Sequence, residues 1–229
     1  MIRNRFDAVV FDLDGTLIDS EPDLRHALNL TLTQAGRDSL TRDQVIKMIG
    51  DGIPKLVERG FLATGGPPNE RLEDAVAFFS EKYDGTAAEL SEMFPGAAHV
   101  LYKLKNMGLK LGICTNKPEK PAYKILNTFD ISKHIDAVIG GDTFPGIRKP
   151  DSRHLSAVLK CLNVSPNYAV MVGDNHNDAS AAQELGIPFI VVTFGYAHCP
   201  IEALRADAVI GHFDELLLVL DRLATATFK

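Results

Sequence analysis

The chain has 229 residues, 45% hydrophobic and 24% charged, which is an ordinary soluble composition and long enough for one large domain or for a core with an insertion. A formal net charge of -6 disfavours the basic stripe of a nucleic-acid-binding protein, but it permits a small anionic ligand held by a few local lysines. Cys114, Cys161 and Cys199 match neither a metal knuckle nor a disulfide framework and read as reduced thiols. The start "MIRNRFDAVV" has no apolar segment of the signal-peptide kind, and no run reaches membrane-spanning length. The expectation is a cytoplasmic protein, monomer or dimer, with no membrane or nucleic-acid partner.

The first element is "DAVVFDLD" (7–14), an apolar strand stopped by Asp12 and Asp14. Burying a carboxylate is costly unless something pairs with it, so two acids at the tip of a buried strand need an explanation. From about residue 18 to 93 the pattern is helix after helix, with no strand. "PDLRHALNLTLTQAG" places Leu24, Leu28, Thr31, Leu32 and Ala35 on one face, with Pro22 near the helix start. "RDQVIKMIG", "IPKLVERGFLA" and "NERLEDAVAFFSEKY" follow, with "TGGPPN" (64–69) as a loop. Asp19 and Glu21 read as caps for the first of these helices.

Beyond residue 94 strands and helices alternate. "KLGICTN" (110–116), "IDAVIGGD" (135–142), "YAVMVGDN" (168–175) and "PFIVVTFG" (188–195) read as buried strands. Helical spacing appears over 97–107, over 153–162 and over 178–186, where Gly186 suits a helix C-terminus. The expected fold is α/β: a Rossmann-like parallel sheet core, 1–17 with 94–229, and an inserted α-helical segment, 18–93.

Ligands of open parallel sheets bind beyond the carboxyl ends of the strands. Those ends carry Asp12 and Asp14, then Thr115 and Asn116, then Gly173 and Asp174, with Asp178 four residues on; Lys149 lies in "RKPD" before the fourth strand. Carboxylates with room for water suit Mg²⁺, and Mn²⁺ accepts the same oxygen donors. Thr115 with a nearby N–H, together with Lys149, suits a phosphate. A carboxylate can also be the nucleophile in phosphoryl transfer. Each motif taken singly reads as a turn, a helix start or an Asx cap. Their joint occurrence at strand ends is what points to a site. Two adjacent acids would divide the labour, one attacking ionised and one carrying a proton, and the residues alone do not say which.

In this order, "DLDGT" (12–16), "TN" (115–116), "KP" (149–150) and "GDNHND" (173–178) resemble the four motifs of the haloacid-dehalogenase-like (HAD) phosphatase superfamily, over essentially the whole chain. The resemblance implies a mobile helical cap and assigns roles. Asp12 would be the nucleophile and Asp14 the general acid/base, its carbonyl also binding Mg²⁺. Thr115, Asn116 and Lys149 would bind the phosphoryl group. Asp12, Asp14 and Asp174 would hold the metal, with Asp178 and Gly173 supporting them. An acid at position 14 also argues against the dehalogenase branch, whose leaving halide needs no proton.

Within the superfamily, "FDLDGTLIDSEPDL" (11–24), "GDGIPKLVERG" (50–60), "GGDTFPGIRKPD" (140–151) and "TFGYAHCPI" (193–201) resemble the phosphoglycolate phosphatases. The implied partner is a small phosphorylated metabolite, 2-phosphoglycolate. Its carboxylate would meet the cap at Gly50, Gly52, Lys55 and Arg59, although the two side chains also read as solvated helix charges. The alternatives are a phosphatase for another small sugar phosphate or pyrophosphate, a β-phosphoglucomutase-like enzyme, or a signalling phosphoacceptor domain. The last resembles a shorter fold with its acids in another order. His176 and Asn177 are expected to face outward, and His99 and Tyr196 to be packing or loop residues.

Overall fold

The computed structural model describes residues 2 and 5–225. The chain opens with β1 (Ala8–Phe11) and turns through β2 (Ile18–Asp19) into α1 (Glu21–Gln34), α2 (Arg42–Ile46), α3 (Ile53–Ala63) and α4 (Leu72–Thr86). It returns through β3 (Glu92–Met93) and α5 (Ala97–Asn106) to β4 (Lys110–Cys114), α6 (Glu119–Thr128) and β5 (Ala137–Ile139). Then come α7 (Ser152–Leu162), β6 (Ala169–Gly173), α8 (His176–Leu185), β7 (Phe189–Val192), β8 (Ala208–Ile210) and α9 (Leu216–Thr225). Among the described residues no helix is long and apolar enough to cross a membrane.

Six of the strands form one parallel sheet in the order β5-β4-β1-β6-β7-β8. Successive side chains of a strand point to opposite faces, and here both faces are apolar. Ala8 and Val10 of β1 join the layer containing Leu155, Val158 and Leu159 of α7 and Ala182 of α8. Val9 and Phe11 join the other layer, with Leu101 and Leu104 of α5, Ile125 of α6 and Leu220 of α9. β1 is therefore central and buried on both sides, and its carboxyl end opens at the change in strand order.

The helices between β2 and β3 have an apolar centre of their own. In α3, Ile53, Leu56, Val57, Gly60 and Phe61 are buried, the spacing of a single helix face. They meet Leu24, Leu28 and Leu32 of α1 and Phe79 and Tyr83 of α4. The stem is antiparallel, with Ile18 opposite Met93 and Asp19 opposite Glu92. These two strands correct the expectation of none between 18 and 93; at two residues each, they are too short to show a period. Short β8, and helices α6 and α9, also went unremarked in the sequence.

Asp19 and Glu21 do not cap α1. Ser20 occupies the cap position, without a side-chain cap bond. Asp19 instead accepts from the Tyr196 hydroxyl and pairs with Arg42 at 3.1 Å, while buried Glu21 pairs with Arg25 at 2.7 Å. Two residues on, buried Asp23 accepts from the N–H groups of Ala88 (3.0 Å), Leu90 (2.9 Å) and Ser91 (2.9 Å), and from the Ser91 hydroxyl. One carboxylate thus ties α1 to the segment leading into β3. Replacing it leaves these donors without an acceptor, so Asp23→Ala is expected to cost about 2–4 kcal/mol, read as a lower urea midpoint at unchanged m.

Candidate active site

Backbone pairing continues one residue past β1, because the Asp12 N–H donates to the Val172 carbonyl at 3.0 Å. The Asp12 side chain is 7% exposed and accepts from the Leu13 N–H at 2.7 Å. Lys149 Nζ lies 2.8 Å from Asp12 Oδ1 and 2.6 Å from Asp178 Oδ1. Burial opposes the lysine's charge, but Asp12 and Asp178 outweigh it and hold the ammonium above its ordinary range. Burial pushes Asp12 up to about 7; Lys149 works against this, and Asp178 and Asp14 add to it.

The loop after β6 supplies the other two acids. Asp178, in the first turn of α8, accepts through Oδ2 from the N–H groups of Asp174 (3.1 Å) and Asn175 (3.2 Å). That close approach needs glycine at 173, where an added Cβ would lie 2.4 Å from Asp178 Cγ. Asp174 accepts from the Tyr196 N–H (2.7 Å), the Thr16 hydroxyl (3.1 Å) and the Asn175 amide (3.3 Å). Among the described residues no cationic side chain pairs with it. Burial, then the charges of Asp178 and Asp12, push Asp174 well above the usual carboxylate range. Gly15, at φ +82, makes the turn; a Cβ there would stand 2.5 Å from Asp174 Oδ2.

One oxygen each from Asp12, Asp174 and Asp178 lies within 4.8 Å of the others. The donors are all oxygen, and a buried carboxylate lacks a counter-charge. Both facts fit a hard divalent cation. Asp14 faces a different environment. It accepts from the Ser20 hydroxyl and from Lys117 Nζ at 2.7 Å. Thr115 follows β4 and is buried; its Oγ1 accepts from the Lys117 N–H at 3.2 Å. The Asn116 amide donates to the carbonyls of Gly50 and Lys149, both at 2.9 Å.

A cavity of about 30 Å³ sits over these groups. Asp12, Asp14, Thr115, Asn116 and Lys117 form its floor, and Leu24, Ile49, Gly50, Gly52, Ile53 and Leu56 line the rest. The structure therefore brings Asp12, Asp14, Thr115, Asn116, Gly50 and Gly52 together around the cavity, with Lys149, Asp174 and Asp178 alongside. It does not bring Lys55 or Arg59 there. Lys55 pairs with Glu58 at 2.6 Å, Arg59 pairs with Asp51, and both line a separate outer groove.

Lys117 escaped the sequence reading although it directly follows "TN". Asn177, expected to face outward, is buried; it donates to Asp51 Oδ1 at 2.8 Å and to the Gly50 carbonyl at 3.3 Å. His176 and His99 are exposed. Tyr196 is buried among the apolar residues of α1–α4.

Residues 9–192 match the model of the haloacid dehalogenase-like hydrolases, and the chain belongs to that family. A phosphoglycolate phosphatase of Caulobacter vibrioides is 42% identical over 206 residues, covering 90% of this chain and 86% of that protein. Phosphoglycolate phosphatase 1 of Pseudomonas aeruginosa is 37% identical, covering 94% and 80%. Among solved structures, a predicted phosphoglycolate phosphatase from Haemophilus somnus has a TM-score of 0.88 at 28% identity, covering 93% and 97%. CbbY from Rhodobacter sphaeroides, in complex with phosphate, has 0.82 at 26%, covering 94% and 99%. Within the family this chain is a phosphatase, a phosphoric monoester hydrolase.

A cation entering the acid cluster displaces the proton that Asp12 holds below about pH 7. Divalent metal is therefore expected to bind at least about tenfold more weakly at pH 6 than at pH 8: Asp12 alone changes its ionised fraction by about that factor, and Asp174, also held above the usual range, adds to it. Calorimetric titration at the two pH values checks this.

Proposed function

We propose that this phosphatase hydrolyses 2-phosphoglycolate to glycolate and phosphate through an aspartyl-phosphate on Asp12, with Mg²⁺ as its metal. The observation that carries the substrate is the 42% identity to the Caulobacter phosphoglycolate phosphatase over 90% of the chain. The cavity over the acids, at about 30 Å³, leaves no room for a bulky ester.

Asp12, Asp174 and the Asp14 carbonyl would hold Mg²⁺, with Asp178 beside them. When bound, the ion neutralises the charge gathered on phosphate and carboxylates. Lys149 and the Thr115 hydroxyl do the same from the protein side. Asp12, kept in place by Lys149 and the Leu13 N–H, attacks phosphorus in line as the bond to the ester oxygen breaks. Asp14 delivers the proton to that oxygen. It then takes a proton from the water that cleaves the aspartyl-phosphate and returns Asp12. Its partners, Ser20 and Lys117, differ from those of Asp12, and the Lys117 ammonium favours the ionised form that takes the proton from water.

Residues 18–93 act as the cap and 1–17 with 94–229 as the core. The cap's own apolar centre and its two-strand stem support this division. Closure over the acids excludes bulk water. Gly50 and Gly52 present the cap to the substrate, and their φ values of +120 and +85 suit glycine. A second reading is a sugar bisphosphate. A variant of the Rhodobacter neighbour, 25% identical to this chain, is solved in complex with xylulose-(1,5)bisphosphate.

A panel of phosphomonoesters assayed for phosphate release separates the two readings. 2-Phosphoglycolate is expected to give the highest kcat/KM, above sugar phosphates, xylulose bisphosphate and pyrophosphate. Another winner overturns the substrate but not the chemistry. EDTA is expected to abolish turnover and Mg²⁺ to restore it. Asp12→Asn is expected to lower kcat more than about a thousandfold with an unchanged circular dichroism spectrum; wild-type turnover in the folded variant would sink the mechanism.

A further inference from the structure

The cavity lining contains one cationic side chain, Lys117. Its side chain is 2% exposed, so its charge is almost wholly withdrawn from water. A buried ammonium needs acceptors for three N–H groups. Asp14 Oδ1 takes one at 2.7 Å. The Tyr83 ring of α4 covers a second side, its centroid 4.8 Å from Nζ. Among the described residues Asp14 is the one acceptor with a well-formed hydrogen bond from Nζ; the nearby Tyr83 hydroxyl, which has no other partner, also favours the charge, and the side of the ammonium toward the cavity is left for a ligand. Around it the walls are apolar: Leu24, Ile53 and Leu56. Gly52, which caps α3, and Ile53 line the same cavity, and the first-turn N–H groups of that helix, of which Pro54 supplies none, have no partner within the helix.

The position of Lys117 relative to Asp14 decides what could fill that place. Asp14 meets the ester oxygen of the leaving group. In a phosphorylated hydroxy acid of the 2-phosphoglycolate type, the carboxylate carbon is two bonds from that oxygen. The carboxylate therefore comes beside Asp14, a like charge, and binding there needs a cation between or next to them. Lys117 is the cation already at that spot. Lys149 is occupied by Asp12 and Asp178 on the other side of the nucleophile.

We infer that Lys117 is a specificity-determining residue that holds the carboxylate of the leaving group, assisted by the first turn of α3, so that the enzyme selects phosphate esters of small hydroxy acids. This rests on the phosphate site and the roles of Asp12 and Asp14 given above, and it deepens that reading by naming the group that recognises the acid. Lys55 and Arg59, pointing into the outer groove, take no part.

The test compares kcat/KM for 2-phosphoglycolate with that for ethyl phosphate, which has the same leaving-group skeleton without the acid, in wild type, Lys117→Met and Lys117→Arg. Absolute rates on both substrates are expected to fall in Lys117→Met, since Asp14 loses a partner. The readout is the ratio. It should collapse at least about thirtyfold in Lys117→Met, mainly through KM for 2-phosphoglycolate, and recover in part in Lys117→Arg. If Lys117→Met does not fold, Lys117→Gln keeps a donor for Asp14 while removing the charge, and the same collapse is expected. A ratio unchanged in folded variants overturns the inference and leaves the 2-phosphoglycolate reading standing. A wild type without preference for 2-phosphoglycolate or any other acid-bearing ester over ethyl phosphate overturns both.

Discussion

Three carboxylates crowd the carboxyl ends of β1 and β6, and the Lys149 ammonium between Asp12 and Asp178 makes that crowding tolerable. Without it the end of a strand buried on both faces would carry uncompensated negative charge, which costs far more than any single apolar contact returns. The arrangement then propagates outward. Asp178 answers Lys149 with one oxygen and binds two N–H groups of the β6–α8 loop with the other, so the same side chain fixes both the charge and the backbone. Among the described residues Asp174 is left with donors but no cation. A metal is the natural completion of the set.

Asp12 and Asp14 are two residues apart yet live in different surroundings. Asp12 sits deep against the core lysine. Asp14 turns toward the cap, meeting Ser20 just before α1 and Lys117 beneath α4. A difference of this kind lets neighbouring carboxylates perform separate steps of one reaction.

Much of this was legible in the sequence. The apolar strands, the interruption by helices and the acids at strand ends come from local patterning that the sheet simply collects. The four motifs are short because each lies where a strand gives way to a turn, so the residues that matter are adjacent in sequence. What escaped depended on distance. Lys117 looks like a surface lysine until α4 lays Tyr83 over it. Lys55 and Arg59 read either as ligands or as solvated helix charges, and the buried stripe Ile53–Leu56–Val57–Phe61 turns them away from the cavity. Asn177 sits in the first turn of α8, in a stretch that reads as polar and exposed, and it is buried where it meets Gly50 and Asp51. Two-residue strands and a lone carboxylate such as Asp23, gathering donors from residues 88–91, carry no periodic trace at all.

Tyr196 belongs to the core loop after β7, yet it reaches both halves of the molecule. Its N–H holds Asp174, its hydroxyl donates to Asp19 and accepts from the Glu21 N–H, and its ring lies among the apolar residues of the cap. A side chain anchored this way works as a dowel, holding two parts in register. Through Glu21 it fixes the start of α1, the helix that carries Leu24 to the cavity above the acids. The placement of that apolar wall over the acids and the placement of Asp174 thus share one loop, so a change at Tyr196 disturbs both at once.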